Sequence, residues 1–441
     1  MFAYYIHLSL RQLRAMPVLN GFIALAIALG IGVSMTMMTL YQALSHNPAG
    51  DKSSVLFNVQ LAAYGAELET WGGHDGLPDQ ITYQDAKNLR NADLPFKSSP
   101  MYAIGEVIEK STGTKRLSNH YKGRFIDSDF FSMFELEFIY GQPWSSSVDE
   151  HPERLIVIDE NLNQWAFNGK NSVGETLRVK ENQFTVVGVV KEWRPLPQFH
   201  HLGSRSAFSR NFDNYFLPFS LVPELELYGQ GSINGWKSES IVEFKDFLQS
   251  ELIWMAYWVE LPTKDAVSDY QNFLSAYVSE QQSLGRFTHP QARGRLRDVA
   301  EWLSYKAVVN EDNRILVGLS LLFLLVCMVN AVALLLAKFM RKANEAGVRR
   351  ALGARRIDIF QQFLSDVSVL GGIGGIAGLM LSVLGLWALR VLYPEFQNIA
   401  HLDFGMALVT LAVSMGAAII SGIYPAYRVC KAQPSLFLKA Q

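Results

Sequence analysis

The sequence predicts an α+β membrane protein: four transmembrane helices with a large α+β extracytoplasmic domain between helices 1 and 2. Three observations predict it. Four windows carry no charged residue: Met16–Gly50, Ile315–Ala337, Val367–Leu389 and Phe404–Tyr427, each at least 23 residues long. About 20 helical residues cross the hydrocarbon core of a bilayer. Between the first two windows lie about 260 residues of ordinary soluble composition, enough for one large domain or two small ones. Charge is also unevenly divided. Residues 45–312 hold 25 Lys+Arg against 36 Asp+Glu, a net of −11; the whole 441-residue chain is −2, so the rest is +9. A soluble globular protein is excluded, and so is a fully hydrophobic multi-spanning bundle.

The chain divides in order. Residues 1–16 contain FAYYIHLSLRQLR (2–14), which mixes aromatic and aliphatic side chains with basic ones. This reads as a cytoplasmic amphipathic helix on the membrane surface, bending at Pro17. Residues 17–44 form the first span. It is too long for a signal-peptide core, and Tyr41-Gln42-Ala43 fits a cleavage site poorly, so it stays attached. Residues 45–312 are the outer domain with a helical stalk. Spans follow at 313–338, 366–390 and 404–427. A cytoplasmic segment covers 339–365, a short periplasmic loop 391–403, and a cytoplasmic tail 428–441.

Orientation follows from Lys and Arg. Arg11 and Arg14 precede the first span. Lys338, Arg341, Lys342, Arg349, Arg350, Arg355 and Arg356 lie between the second and third charge-free windows, against Glu345 and Asp358. Arg428, Lys431 and Lys439 end the chain, whereas the link with Glu395 and Asp403 has no base. Both termini are therefore expected inside, and the large domain outside.

Within that domain SVLFNVQL (54–61) reads as a strand. ITYQDAKNLRNADL (81–94) reads as a helix capped by Thr82. Short strands are expected around Met101–Glu109, then RLIVI (154–158), a helix over DENLNQWAF (159–167), paired strands at Glu175–Val179 and Gln183–Val190, and NYFLPFSL (214–221). AVSDYQNFLSAYVSEQQSL (266–284) puts Val267, Tyr270, Phe273, Leu274, Tyr277 and Val278 on one helical face. Leu296, Val299, Trp302 and Leu303 continue a helical period toward the second span. Lys191–Asn211 has no period and reads as a surface loop, its His200-His201 pair solvated rather than metal-binding.

Chemistry is sparse. Cys327 and Cys430 have no CxxC partner, and no Walker A loop, HExxH, GxSxG or EF-hand loop occurs. No catalytic residue, metal site, cofactor or nucleic-acid surface is predicted for this chain. The four spans are also expected to contain no ionisable Asp, Glu, Lys, Arg or His, the groups that mark transport routes through a membrane. Gly371/Gly375 and Gly374/Gly378 are small-xxx-small pairs that permit close helix approach, within a subunit or between two. The inner segment from Arg341 to Leu364 has a short basic helical stretch, a glycine break at Gly353 and a new amphipathic start. It is either a positive-inside loop on lipid headgroups or a docking element.

That segment resembles the signature of the MacB/FtsX permease family, the membrane subunits of type VII ABC systems. Glu345, Gly347, Val348, Arg349, Arg350, Ala351, Leu352, Gly353 and Ala354 match it in register. The likeness extends to LSLRQLRAMP (8–17), FIDSDFFSMFELEFIYGQPW (125–144), RLIVIDENLNQWAFNGKNSVGETLRV (154–179), QFTVVGVVKEWR (183–194) and YPAYRVCKAQPSLFLKAQ (424–441). Position 346 is Ala where the family usually has Ile, and residues 195–260 have little family character.

The resemblance implies a four-span inner-membrane permease subunit with a periplasmic core domain. It would pair with a second permease copy or paralogue and with two copies of an ABC ATPase that bind ATP and Mg. Residues 339–365 would carry the coupling helix, with Glu345, Gly347, Arg349, Arg350, Gly353 and Arg355 engaging the ATPase. The helices would transmit its motion to the periplasmic domain. The implied task is tripartite efflux of antimicrobials, peptides or other small molecules, with a periplasmic adaptor (membrane fusion) protein and an outer-membrane channel. The alternatives are lipoprotein extraction, or a non-transporting regulator of cell-wall hydrolases or signalling.

Overall fold

The computed structural model describes residues 15–44, 48–64, 75–112, 115–201, 207–209, 212–308, 311–392 and 404–431. The surface helix expected over 2–14, the link at 393–403 and residues 432–441 lie outside them. The chain forms two compact units, one from Met1–Ser45 with Asn310–Gln441, the other from His46–Val309.

The helices used below are α1 (Pro17–Leu44), α2 (Tyr83–Arg90), α3 (Asp129–Met133), α4 (Ser147–Glu150), α5 (Glu160–Phe167), α6 (Phe244–Gln249), α7 (Lys264–Ser283), α8 (Val299–Tyr305), α9 (Glu311–Arg341), α10 (Ala343–Ala351), α11 (Arg356–Leu392) and α12 (Phe404–Lys431). The strands are β1 (Leu56–Ala62), β2 (Ile81–Thr82), β3 (Ser98–Thr112), β4 (Lys115–Ile126), β5 (Phe138–Gly141), β6 (Leu155–Asp159), β7 (Thr176–Val179), β8 (Asn182–Val190), β9 (Tyr215–Pro218), β10 (Ile253–Glu260) and β11 (Arg293–Asp298).

The 46–309 unit is built on one sheet in the order β11-β1-β10-β3-β4-β9-β6-β8-β5, with β2 on β10 and β7 against β3 and β8. Pairing is mostly antiparallel; β4 with β9 and β6 with β8 are parallel. The long β3–β4 hairpin runs in register from Tyr102↔Phe125 to Thr112↔Lys115. Side-chain caps start three of the helices, Thr82 as the sequence predicted. Thr82 accepts from the Asp85 amide, Asp159 from Leu162 and Thr263 from Ala266, each satisfying an otherwise orphaned donor. One core contains Ile104, Ile158, Val186, Leu217, Trp254 and Tyr257; a second, aromatic one contains Phe130, Phe131, Trp144, Phe199, Phe216, Trp258 and Trp302.

Three readings of the sequence change here. Leu296 belongs to a strand, not a helix, because Arg293–Asp298 completes the sheet edge on β1 from Ala62↔Arg293 to Phe57↔Asp298. Helix α8 then ends at Tyr305, and Ala307 takes φ 49°, so α8 and α9 are not one continuous stalk. The expected strand over 214–221 stops at Pro218, and Phe219–Leu221 turns as a 3-10 helix.

His200-His201 is buried, not solvated. The cause is Arg124, itself buried in β4. Its Nε donates to Asp213 at 2.7 Å, and its Nη1 lies 3.4 Å from His201 Nδ1. The His200 ring lies tilted against Trp193 with ring centres 4.5 Å apart. Burial pushes the Asp213 carboxyl up, but the charges of Arg124, His200 and His201 win and hold it well below the usual carboxylate range.

The second unit is helical, and α1, α9, α11 and α12 are each long and apolar enough to span a bilayer. Ile23, Ile27 and Ile31 of α1 meet Ala331 and Leu335 of α9, Phe363 and Val367 of α11 and Ala418 of α12 in one core. Leu319, Leu322, Val326, Met380, Leu384 and Trp387 remain exposed, as lipid-facing positions require.

The glycine pairs resolve by face. A Cβ on Gly371 would lie 2.5 Å from Ala418 Cβ, and one on Gly375 2.7 Å from Ser414 Oγ, both in α12. A Cβ on Gly374 or Gly378 would press on Ile27, or on Ile31 and the Ala28 carbonyl, of α1. Ser414 Oγ also donates to the Gly371 carbonyl at 2.8 Å, a bond open only to helices this close. All four glycines thus pack within the chain.

Candidate coupling surface

Helix α10 follows α9 after a one-residue break at Lys342 and ends in a Schellman turn. The Ala354 amide donates to the Arg349 carbonyl at 3.0 Å and the Gly353 amide to the Arg350 carbonyl at 3.1 Å. This geometry needs a left-handed residue after the cap, and Gly353 supplies φ +106°. The next helix starts at once: the Asp358 carboxylate accepts from the Arg355 amide at 3.1 Å, capping α11.

The arginines of the segment turn partly inward. Arg349 Nη1 donates to Gln362 Oε1 of α11 at 2.7 Å, and Arg350 Nη1 to the Cys430 carbonyl of α12 at 3.3 Å. The second contact puts a cation on the C-terminal end of a helix, where unsatisfied carbonyls carry partial negative charge.

A further tie was not foreseen. Asp366 of α11 is buried with its Oδ2 3.2 Å from Lys342 Nζ and 3.7 Å from Lys338 Nζ of α9. Lys338 and Asp366 each lie one residue outside a charge-free window, yet both spanning helices run past those windows. The expectation of spans without ionisable groups is corrected accordingly: the spanning helices hold Lys338, Arg341, Arg356, Asp358, Asp366, Arg390, Arg428 and Lys431. The available signal was position, since both groups flank the same inner loop.

What faces outward is mixed. Glu345, Val348 and Leu352 are exposed along α10 and its cap, Leu352 at 84%. Arg355, Arg356 and Ile357 are exposed just beyond. A Cβ on Gly347 would meet nothing within 4 Å, so no part of this chain requires a glycine there. Motif matching selected Glu345, Arg349 and Arg350 for their charge. The structure adds Val348 and Leu352 as an exposed apolar pair and Gln362 as the anchor for Arg349. No group of three or more His, Cys, Asp or Glu among the described residues could hold a metal.

A large α+β domain inserted between the first two of four spanning helices, with a short basic helix linking spans two and three, defines a permease-type membrane subunit. The chain belongs to the MacB/FtsX-type permease family. The MacB-like periplasmic core domain matches residues 21–256, and the FtsX-like permease C-terminal domain matches residues 317–434. The macrolide export ATP-binding/permease protein MacB of Salmonella paratyphi A is 22% identical over 389 residues, covering 85% of this chain and 52% of that protein. That of Neisseria gonorrhoeae is 22% identical over 358 residues, covering 80% and 48%. The chain therefore spans about half the length of these curated relatives. Among solved structures, the periplasmic region of MacB from Actinobacillus actinomycetemcomitans aligns at 12% identity and a TM-score of 0.34, covering 58% of this chain and 94% of that one.

Proposed function

We propose that this chain is the transmembrane subunit of an inner-membrane ABC export system, driven by a separate ATPase, with both termini cytoplasmic and the 46–309 unit in the periplasm. One observation carries the reading. Helix α10 is fixed to three spanning helices, through Lys342–Asp366–Lys338, Arg349–Gln362 and Arg350–Cys430, while its outer face offers Glu345, Val348 and Leu352. A helix so attached moves its spans when it is pushed. Val348 and Leu352 supply apolar anchors for a groove on the ATPase. Glu345, Arg355 and Arg356 give charge complementarity at the rim. ATP and Mg act in that partner. The displacement reaches the periplasmic domain through α1 and α9, the two spans that flank it in the chain.

Efflux with a periplasmic adaptor and an outer-membrane channel is the task this reading favours, supported by the export function in the names of the relatives. The test is co-purification of the cognate ATPase with the full chain. Val348→Asp with Leu352→Asp is expected to abolish capture while the chain still folds and inserts. Undiminished capture by the double variant would remove the basis of the reading.

A further inference from the structure

The 46–309 unit holds a cleft of about 610 Å³ that the coupling reading does not use. It is bordered by α2 and the segment that follows it, by the turn into α3, and by α4. Its acids are Asp93, Asp127, Asp129, Asp149 and Glu150; Arg90 is the one base among its lining residues, and Leu89, Leu94, Phe96 and Tyr270 supply apolar wall.

Most of these groups are already engaged. Asp149 accepts from the Ser128 amide and hydroxyl and from Trp144 Nε1. Asp129 accepts from the Ser98 amide at 3.2 Å. Asp127 differs. It is 5% exposed, and its Oδ2 takes Arg90 Nε at 2.5 Å while its Oδ1 accepts no hydrogen bond among the described residues. The Tyr270 hydroxyl, on a side chain 2% exposed, interacts with its neighbour Tyr257, which itself donates to Ser98 at 2.8 Å. A buried carboxylate oxygen without a donor is costly, and here it borders a cavity large enough for a small molecule.

We infer that this cleft is a binding site for an organic cation, an ammonium head directed at Asp127 with its hydrocarbon body against Phe96 and Tyr270. Cavity size, the excess of acids and the aromatic wall all fit that class, since cations are attracted to aromatic faces as well as to carboxylates. A metal ion does not fit, because no described cluster supplies three ligating groups.

The charge state of Asp127 supports the assignment. Burial pushes its carboxyl up to about 8; Arg90 opposes this, and Asp149 and Asp129 add to it. Tyr257 of β10 also feels the Asp127 charge. A bound ammonium supplies the positive charge that Arg90 alone does not, so it favours the ionised form. The site goes beyond the coupling reading, and it can be tested without ATPase or nucleotide.

The experiment uses the full chain in detergent, with 2-phenylethylammonium, whose N–H groups can donate to Asp127, as the probe and 2-phenylethanol as the uncharged control, followed by tryptophan fluorescence and calorimetry. At pH 9 the cation is expected to bind at least tenfold more tightly than the alcohol. Its affinity should weaken about tenfold between pH 9 and pH 7 as Asp127 takes up a proton. Asp127→Asn should remove both the charge preference and the pH dependence. Asp93→Asn with Glu150→Gln changes only exposed rim acids, so it leaves folding intact, and it should weaken the cation severalfold. Equal affinity for cation and alcohol, or cation binding unchanged in the rim double variant, would overturn the assignment.

Discussion

Asp366, buried near the N-terminal end of the third spanning helix, lies 3.2 Å from the ammonium of Lys342, the residue that joins the second spanning helix to α10. Lys338 closes the group from 3.7 Å. A carboxylate between two ammonium groups fixes the relative height of two helices more firmly than apolar packing, which tolerates sliding. It also makes the junction sensitive to loss of one partner.

Asp366→Asn should therefore destabilise the detergent-solubilised chain by about 3–5 kcal/mol, the usual cost of leaving a buried charge uncompensated. Replacing the group by Lys338→Met, Lys342→Met and Asp366→Leu together should recover much of that loss. Thermal unfolding of the two variants checks it; equal stability of both would show that the ion group holds nothing.

Gly371→Val should also destabilise, by about 1–3 kcal/mol, because its side chain must displace α12. Gly372→Ala is the control. A Cβ there meets nothing within 4 Å, so it should leave the melting temperature unchanged or raise it slightly.

Two glycines of the coupling segment should separate by mechanism. Gly353→Ala forces a Cβ into φ +106° and should cost about 1 kcal/mol or more in the isolated chain. The Cβ added by Gly347→Ala meets no neighbour within 4 Å in this chain. That substitution should leave stability intact while weakening ATPase capture at least tenfold, if the partner's backbone approaches there. Melting curves and pull-downs on the same two variants distinguish these outcomes.

The periplasmic-type domain should show opposed pH responses from two buried aspartates. Asp213 has a lowered pKa in the fold, so its contribution is present above the unfolded value of 3.8 and is lost as pH falls below it. Asp127 is raised to about 8. Between about 4 and 8 the folded state holds a proton that the unfolded state has released, so stability falls as pH rises through that window. Asp127→Asn should flatten the slope and leave the acid limb. Denaturant titrations from pH 3 to 9, followed by the buried tryptophans Trp144, Trp258 and Trp302, measure both. A slope in Asp127→Asn matching that of the parent protein would assign it elsewhere.

The sequence by itself determined the class of architecture. Charge-free runs longer than a bilayer is thick leave few alternatives, because backbone polar groups in lipid must be satisfied within a helix. The Thr82 cap was legible because its hydrogen bond is local, three residues along the chain. The positive φ at Gly353 was foreshadowed in the same way by a glycine after a basic helical run.

Tertiary structure decided what distance along the chain conceals. Arg124 and Asp213 are far apart in sequence and meet only because β4 and β9 pair in parallel; that meeting draws His200-His201 into the core. Leu296 fits a helical period, but the open edge of β1 claims it. Lys338 and Asp366 stand at the ends of two different spans, and only the packing of those helices brings the two together. Local periodicity and capping follow from neighbours in the chain. Ion groups, sheet edges and the cleft at Asp127 depend on which distant elements share a buried space, and packing alone settles that.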